Sequence, residues 1–139
     1  MSETRKDSQL AAALKARSKR FAIGVVLLCR QFPRSVDALV VAKQLIEAAT
    51  SVAANYRAAC RSRSPADLIS KISLVSEEAD ESRFWLELTF ESQILQSGRV
   101  RTLLNESGEL AAIFTASRDT AKRNAKRKLR PRRVAEGCP

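Results

Sequence analysis

Two groups of charged side chains are the residues of this chain best suited to chemistry. The first is a set of three arginines near the middle of the chain, Arg57, Arg61 and Arg63. The second follows it and is an acidic cluster made of Glu77, Glu78, Asp80 and Glu81. Guanidinium groups bind carboxylates and phosphates, whereas clustered carboxylates can bind divalent cations or work as a general acid and base.

The composition argues against the catalytic interpretation of the acidic cluster. The chain has no histidine, which removes the commonest general base and the commonest transition-metal ligand. A di-iron bundle needs Glu-x-x-His pairs, and no glycine-rich phosphate loop or nucleophile–base pair is present. We therefore expect no enzyme, no metal site and no cofactor. The acidic cluster is interpreted as solvated surface or as a contact between subunits.

The C-terminal segment carries most of the net charge of +10. From Arg118 to Pro139, nine basic residues oppose only Asp119 and Glu136. Such dense positive charge binds polyanions by releasing condensed counterions, without reading their sequence. The candidate nucleic-acid-binding residues are Lys122, Arg123, Lys126, Arg127, Lys128, Arg130, Arg132 and Arg133. A tail that is only solubilising is the alternative.

The apolar periodicity predicts an all-α protein. Aromatic residues are only 5% of the chain, and four Gly and four Pro leave few places to turn. Helices are predicted at about 8–31, 35–61, 65–96 and 99–126, separated by Phe32-Pro33, by Ser64-Pro65 and by Ser97-Gly98. Short connections between long helices predict an antiparallel up-down-up-down four-helix bundle over residues 1–124. Residues 125–139 lack an apolar period and are predicted to be a disordered basic tail.

Each predicted helix has an apolar stripe at helical spacing that is expected to face the core. For the first helix the stripe is Leu10, Leu14, Phe21, Val25 and Leu28. For the second it is Leu39, Ala42, Ile46, Ala49, Ala53 and Tyr56. For the third it is Leu68, Ile72, Val75, Ala79, Leu86 and Phe90. For the fourth it is Val100, Leu103 or Leu104, Ser107, Leu110 or Ala111, Phe114 and Ala121.

Cysteine usage and hydropathy bear on the compartment. Cys29, Cys60 and Cys138 form no C-x-x-C pair, and their odd number argues against a disulfide framework. The longest apolar run, Phe21 to Cys29, has nine residues, whereas a membrane span needs about 20. The polar N-terminus has no secretory pattern. We expect a cytoplasmic protein with no membrane partner.

The segment from Ser51 to Leu88 carries a distinctive pattern. It contains Ser51-Val52, Ala54-Asn55-Tyr56-Arg57, Arg63-Ser64, Glu78-Ala79-Asp80-Glu81 and Trp85-Leu86-Glu87-Leu88, with Phe32-Pro33 before it. This pattern resembles the bacterial "four helix bundle protein" family, which includes proteins encoded in intervening sequences of 23S ribosomal RNA genes. The resemblance covers roughly residues 21–124. It departs from the family pattern at Ala58, where a glutamate is usual, and at Cys60.

The resemblance implies an assembling protein without catalysis. Members of the family are similar in forming symmetric homopentamers, and most have no established activity. A more distantly similar protein assists a reverse transcriptase in diversity-generating retroelements and binds nucleic acid. The implied partners are therefore other copies of the chain, RNA or DNA, and a reverse-transcriptase-like or other protein.

The signature residues are predicted to serve architecture and assembly. They are Ser51, Asn55, Tyr56, Arg57, Arg61, Arg63, Glu78, Glu81 and Trp85. Polar residues in a bundle seam commonly set register or subunit choice. Arg57 and Arg61 repel each other at i, i+4, and the acidic cluster lies too far along the antiparallel third helix to meet them. We expect these arginines, with Arg63, to face acidic residues of a neighbouring subunit or else nucleic acid.

Two functions remain open on the sequence. The first is an accessory protein that binds RNA or DNA non-specifically through its basic residues. The alternative is a protein–protein scaffold with no direct role on nucleic acid. Trp85 fits either, as a core or interface anchor, or as a platform for a base.

Overall fold

The computed structural model describes residues 2–129, with side chains from residue 5 onward. Its elements are α1 (Ser2–Cys29), α2 (Val36–Ala59), α3 (Pro65–Glu91) and α4 (Gly98–Leu129). Each helix packs on the next one along the chain, and α1 also packs on α4. The predicted antiparallel four-helix bundle is confirmed for the part of the chain that is described.

The start of α3 follows directly from local sequence. Ser64 has an extended backbone, and its Oγ accepts a hydrogen bond of 3.1 Å from the backbone N–H of Asp67. Pro65 occupies the first helical position, where its missing N–H costs nothing. The Asp67 carboxylate then accepts a hydrogen bond of 3.0 Å from Lys71 one turn later. The predicted start signal is confirmed.

Three helix ends differ from the predicted ones. The helix α1 begins at Ser2, earlier than expected. The helix α3 ends at Glu91 rather than near 96, because Gln93 adopts a left-handed φ of 60° that a helix cannot contain. The helix α4 continues to Leu129, so residues 125–129 of the predicted disordered tail are helical. No Gly or Pro interrupts that segment before Pro131. The rest of the predicted tail lies outside the described residues.

The core is one contiguous cluster that contains residues from all four helices. Its largest fully buried side chains are Phe114, Leu28, Leu45, Leu86, Leu110, Val25, Val52, Val75 and Val100. Tyr56 and Phe114 pack with their ring centroids 5.0 Å apart. The stripes predicted on α1, α3 and α4 are largely confirmed. The exceptions are Leu10, Leu68 and Phe90, which are at least 36% exposed.

The predicted buried face of α2 is confirmed only in part, at Ala49 and Tyr56, and the face that is buried is rotated from the predicted one. The buried residues are Ala38, Val41, Leu45, Ala48, Ala49, Val52, Tyr56 and Ala59. Leu39 is 57% exposed, and Ala42, Ile46 and Ala53 are only half-buried. Because α2 carries apolar residues on adjacent faces, periodicity alone did not identify the face that its neighbours cover.

The seam between α1 and α4 is less extensive than the other three and is joined by ion pairs. The Arg17 guanidinium donates to both oxygens of Glu106, at 2.6 and 2.9 Å, and to Glu109 at 2.5 Å. The hydrogen bonds from Arg17 hold the pKa of the Glu106 carboxyl below its ordinary value of 4.5. Gly24 lets α1 approach α4, since a Cβ there would lie 3.0 Å from Leu103 Cδ2.

A matched pair of leucines on α2 tests which face is buried. Leu45→Ala should lower the free energy of unfolding by about 2–5 kcal/mol, because it leaves a cavity at a fully buried position. Leu39→Ala should cost less than about 1 kcal/mol, since that side chain is largely exposed. Urea denaturation of both variants at one protein concentration measures the difference. Equal losses would contradict the assigned face.

The α1–α4 seam gives a prediction about pH. A carboxyl whose pKa is lowered by folding contributes stability at pH values above its unfolded pKa, and this contribution is lost as the pH falls through the folded pKa. Glu106→Gln should therefore destabilise the fold by roughly 1 kcal/mol near neutral pH, and by progressively less below the ordinary pKa of 4.5. Denaturation curves across this range provide the measurement. Glu77→Gln, on an exposed side chain with no ion pair in the described region, is the control. A pH-independent loss would show that the charge of Glu106 is not what stabilises the seam.

Candidate nucleic-acid interface

One end of the bundle collects most of the unpaired positive charge. The alternating direction of the helices places the start of α1, the α2–α3 turn and the end of α4 at this end. A surface cavity there is lined by Ala11 from α1, Tyr56 from α2, Leu68 from α3 and Ala121 from α4. We call this the basic end. Its exposed cations are Arg5, Lys6, Arg57, Arg61, Arg63, Lys122, Arg123, Lys126, Arg127 and Lys128.

The end of α4 displays five of the eight residues predicted to bind nucleic acid. Lys122, Arg123, Lys126, Arg127 and Lys128 are all exposed on helical backbone. None of them pairs with a carboxylate among the described side chains, although Arg123 donates a hydrogen bond to Thr120 at 3.3 Å. The remaining three, Arg130, Arg132 and Arg133, lie outside the described residues.

The few described carboxylates near this end are mostly engaged already. Asp67 accepts hydrogen bonds from Lys71 and, at 3.4 Å, from the backbone N–H of Arg63, and these interactions lower the pKa of its carboxyl. Asp119 pairs with Arg118 at 3.3 Å. Asp7 is exposed beside Lys6 on α1. The cations of the basic end therefore remain largely uncompensated within the described part of the chain.

A second basic surface runs along the side of the bundle between α1 and α2. This groove of about 540 Å³ is lined by Lys15 and Lys19 from α1 and by Arg57 and Arg61 from α2. No acidic residue lines it. None of these cations has a carboxylate oxygen within 4.0 Å among residues 5–129. We call it the basic groove. Sequence reasoning missed its contribution from α1, because the two lysines are distant in sequence from the arginines.

The acidic cluster lies on α3. Glu77, Asp80 and Glu81 are exposed and Glu78 is half-buried. Burial, with the nearby charges of Glu81 and Glu77, raises the pKa of the Glu78 carboxyl above its ordinary value. No ion pair links this cluster to a cation within the described region, so Arg57 and Arg61 have no partner there. Within residues 5–129, no three His, Cys, Asp or Glu side chains are grouped so that they could hold a metal.

The signature aromatic residues have different environments. Tyr56 is buried against Phe114, so it belongs to the core, and burial raises the pKa of its phenol. Trp85 is half-buried at the edge of the core, and its indole N–H donates a hydrogen bond of 3.5 Å to the Glu81 carboxylate. Phe84, which the sequence did not single out, packs edge-on against Trp85 with the ring centroids 5.0 Å apart. It is 53% exposed.

Ser51 and Asn55 are half-buried on α2. Neither side chain makes a hydrogen bond to another described residue. Their predicted role in register or subunit choice therefore stays a prediction. None of the described helices has an apolar stretch long enough to cross a membrane.

Comparisons with known proteins place this geometry in context. The family model described as "23S rRNA-intervening sequence protein" matches residues 12–116. The matched segment spans α1 to most of α4 and stops before Lys122. No match was found among the curated proteins.

A solved structure agrees with the fold. It is a protein with unknown function from the S23 ribosomal protein family of Bacteroides thetaiotaomicron, and it is similar with a TM-score of 0.71 at 28% sequence identity. The match covers 78% of this chain and 97% of that chain. Since the family model also spans most of the bundle, this chain belongs to the 23S rRNA-intervening sequence protein family.

Proposed function

We propose that this protein is a non-catalytic, self-assembling helical bundle that binds RNA or DNA non-specifically through its basic end. The observation that carries the proposal is the meeting of separate basic segments at one end of the fold. The α2–α3 turn contributes Arg63, and α4 contributes the cations from Lys122 to Lys128. No cofactor or metal is part of the proposal.

Electrostatics supports a polyanion as the ligand. On α4, Lys122 and Lys126 are neighbours at i, i+4, as are Arg123 and Arg127. Each such like-charged pair costs a few tenths of a kcal/mol in the free helix. A phosphate backbone placed along the helix would remove this repulsion and release its own counterions. The exposed, uncompensated cations therefore favour binding to nucleic acid at low salt.

Charge complementarity supports self-assembly. The basic groove lies between α1 and α2, whereas the acidic cluster lies on α3, and no ion pair joins them within the described part of the molecule. Two complementary surfaces on one chain can meet only between copies, in a head-to-tail contact. Repetition of this contact closes a ring when the rotation permits. The family resemblance predicts a homopentamer, which would present five basic ends together and raise avidity.

A scaffold is the second candidate function, because apolar side chains are exposed at the other end of the bundle. On α1 these are Ile23 and Leu27, and on α2 they are Val36, Leu39 and Val40, each at least 41% exposed. They could bind another protein, for example a reverse-transcriptase-like one, beside or instead of nucleic acid. Loss of nucleic-acid binding at every salt concentration would favour this alternative.

Neutralising the end of α4 tests the nucleic-acid proposal. The variant Lys122→Gln, Lys126→Gln and Arg127→Gln should weaken binding to any RNA or DNA sequence. It should also make the slope of log K against log salt concentration less negative by about 2–3, since each lost phosphate contact removes about 0.7–0.9 from the magnitude of this slope. Fluorescence anisotropy with a labelled oligonucleotide at several salt concentrations measures both effects.

The control changes the same amount of charge at the opposite end. Arg30→Gln, Arg34→Gln and Lys43→Gln alter three exposed cations far from the basic end. This variant should keep most of the affinity and the slope. Equal losses in the two variants would show that only net charge matters, and full binding after truncation at Asn124 would contradict a role for the end of α4.

Charge reversal tests the assembly proposal. Arg57→Glu with Arg61→Glu should dissociate the oligomer, because the acidic cluster of the next copy would then meet like charge. Light scattering measures the mass, and Arg30→Glu with Arg34→Glu is the matched control. The reciprocal variant Glu78→Arg with Glu81→Arg should restore association when mixed with the first, in open or even-numbered assemblies, since two alternating variants cannot close a five-membered ring. An unchanged oligomer in the first variant would show that these arginines are not at a subunit contact.

A further inference from the structure

The cavity at the basic end has the size and walls of a binding site for part of a ligand. Its volume is about 600 Å³, within the usual range for small-ligand sites. Tyr56, Ala59, Leu68, Ile72 and Ala121 supply apolar wall atoms from three helices. Alanines here leave space that larger side chains would fill. The cavity can therefore receive a flat group of moderate size.

One polar atom in this wall lacks a hydrogen-bond partner. The Ser62 Oγ is buried and makes no hydrogen bond with the described residues. The other buried hydroxyls are satisfied, for example Ser82 by the Glu78 carbonyl at 2.8 Å and Ser76 by Thr115 at 2.8 Å. An unpaired buried hydroxyl is costly, so a ligand group that reached this Oγ would gain a hydrogen bond.

The rim of the cavity is positively charged. Arg63 and Lys128 line it from opposite elements, the α2–α3 turn and α4. Ser64 and Pro65 also line it, so the positive end of the α3 dipole lies there. No acidic residue is among the lining residues. Groups that carry negative charge are therefore favoured just outside an apolar interior.

These three properties together select one class of ligand. A free inorganic anion would leave the apolar walls unfilled, and an apolar molecule would leave Ser62 and the cations unused. A nucleotide within a strand has a flat base with a hydrogen-bonding edge between two phosphates. We infer that the cavity takes one unpaired base of the bound nucleic acid, with the flanking phosphates on Arg63 and Lys128.

The inference rests on the proposed function and makes it more specific. Extruding a base from a duplex costs stacking and pairing energy, whereas a bulged or single-stranded base is already free. The protein should therefore prefer unpaired positions although it does not read sequence along the backbone. Tyr56 is only 7% exposed, so insertion and hydrogen bonding, rather than stacking on an open platform, hold the base.

Two duplexes that differ by one bulged 2-aminopurine test this inference with the full chain. We expect the bulged duplex to bind several-fold more tightly than the fully paired one at equal salt. The 2-aminopurine fluorescence should change as the base leaves its stacked neighbours. Ser62→Ala should reduce the preference about twofold, at the lower end of what one lost hydrogen bond costs. Ala121→Leu, which fills the cavity, should abolish it while binding to the paired duplex persists.

Controls separate the cavity from general packing effects. Ala112→Leu places the same side chain on α4 at an exposed alanine outside the cavity, and it should keep the preference. Circular dichroism checks that each variant folds. The Cys60 thiol also lines the cavity, so the bulged duplex should slow its alkylation more than the paired duplex does. Half-buried Cys29, with its pKa raised to about 11 by burial, is the internal reference.

The outcomes distinguish the inference from the proposed function. Equal affinities and equal Cys60 protection for the two duplexes, with salt-dependent binding retained, would overturn base insertion alone. If the preference for the bulged duplex appeared only after truncation at Leu129, the chain's own end would be filling the cavity. This result would also overturn base insertion. Failure of both duplexes to bind at low salt would overturn the proposed function itself.

Discussion

Short connections between long helices are the constraint on which the rest of this molecule depends. With so few residues in each turn, every helix must run opposite to the one before it. The end of α2, the start of α3 and the end of α4 then have to meet at the same end of the bundle. The basic segments of the sequence fall at these positions. The concentration of positive charge at this end is thus a consequence of the direction of each helix. The mutual repulsion of these charges is tolerated because the side chains are exposed to water.

The same constraint keeps the two charged surfaces apart. The α2 arginines point into the basic groove beside α1, while the acidic cluster occupies α3 farther from the turn. Within one molecule the nearest opposite charges are out of reach, so each surface remains available to a second copy or to another ligand. Most polar groups in the interior, by contrast, have partners within the same molecule. The hydroxyls of Ser18, Ser82, Thr89 and Ser107 bond to carbonyls of their own helices. Arg17 with Glu106 and Glu109 joins the seam that has the least packing.

Local signals in the sequence were reliable where they act through the backbone. Ser64 and Pro65 marked the start of α3 because capping depends on neighbours within one turn. The end of α3 was missed, because Gln93 takes a left-handed conformation that no glycine announced. The buried face of α2 was predicted only in part, since Ala49 and Tyr56 are buried but Leu39 is exposed. Leu39 and Leu45 are the same type of residue and have the same helix propensity, and only the packing of α1 and α3 decides which one is buried.

The sequence by itself determined four helices, their antiparallel order and the residues that carry charge, since periodicity, turn chemistry and composition are local properties. Only the tertiary structure decided which charges act together. It placed Lys15 and Lys19 beside Arg57 and Arg61, and it placed Ser62 in the wall of a surface cavity bounded by all four helices. These neighbours are far apart along the chain. Their proximity depends on the rotation and register of packed helices, which no single segment specifies.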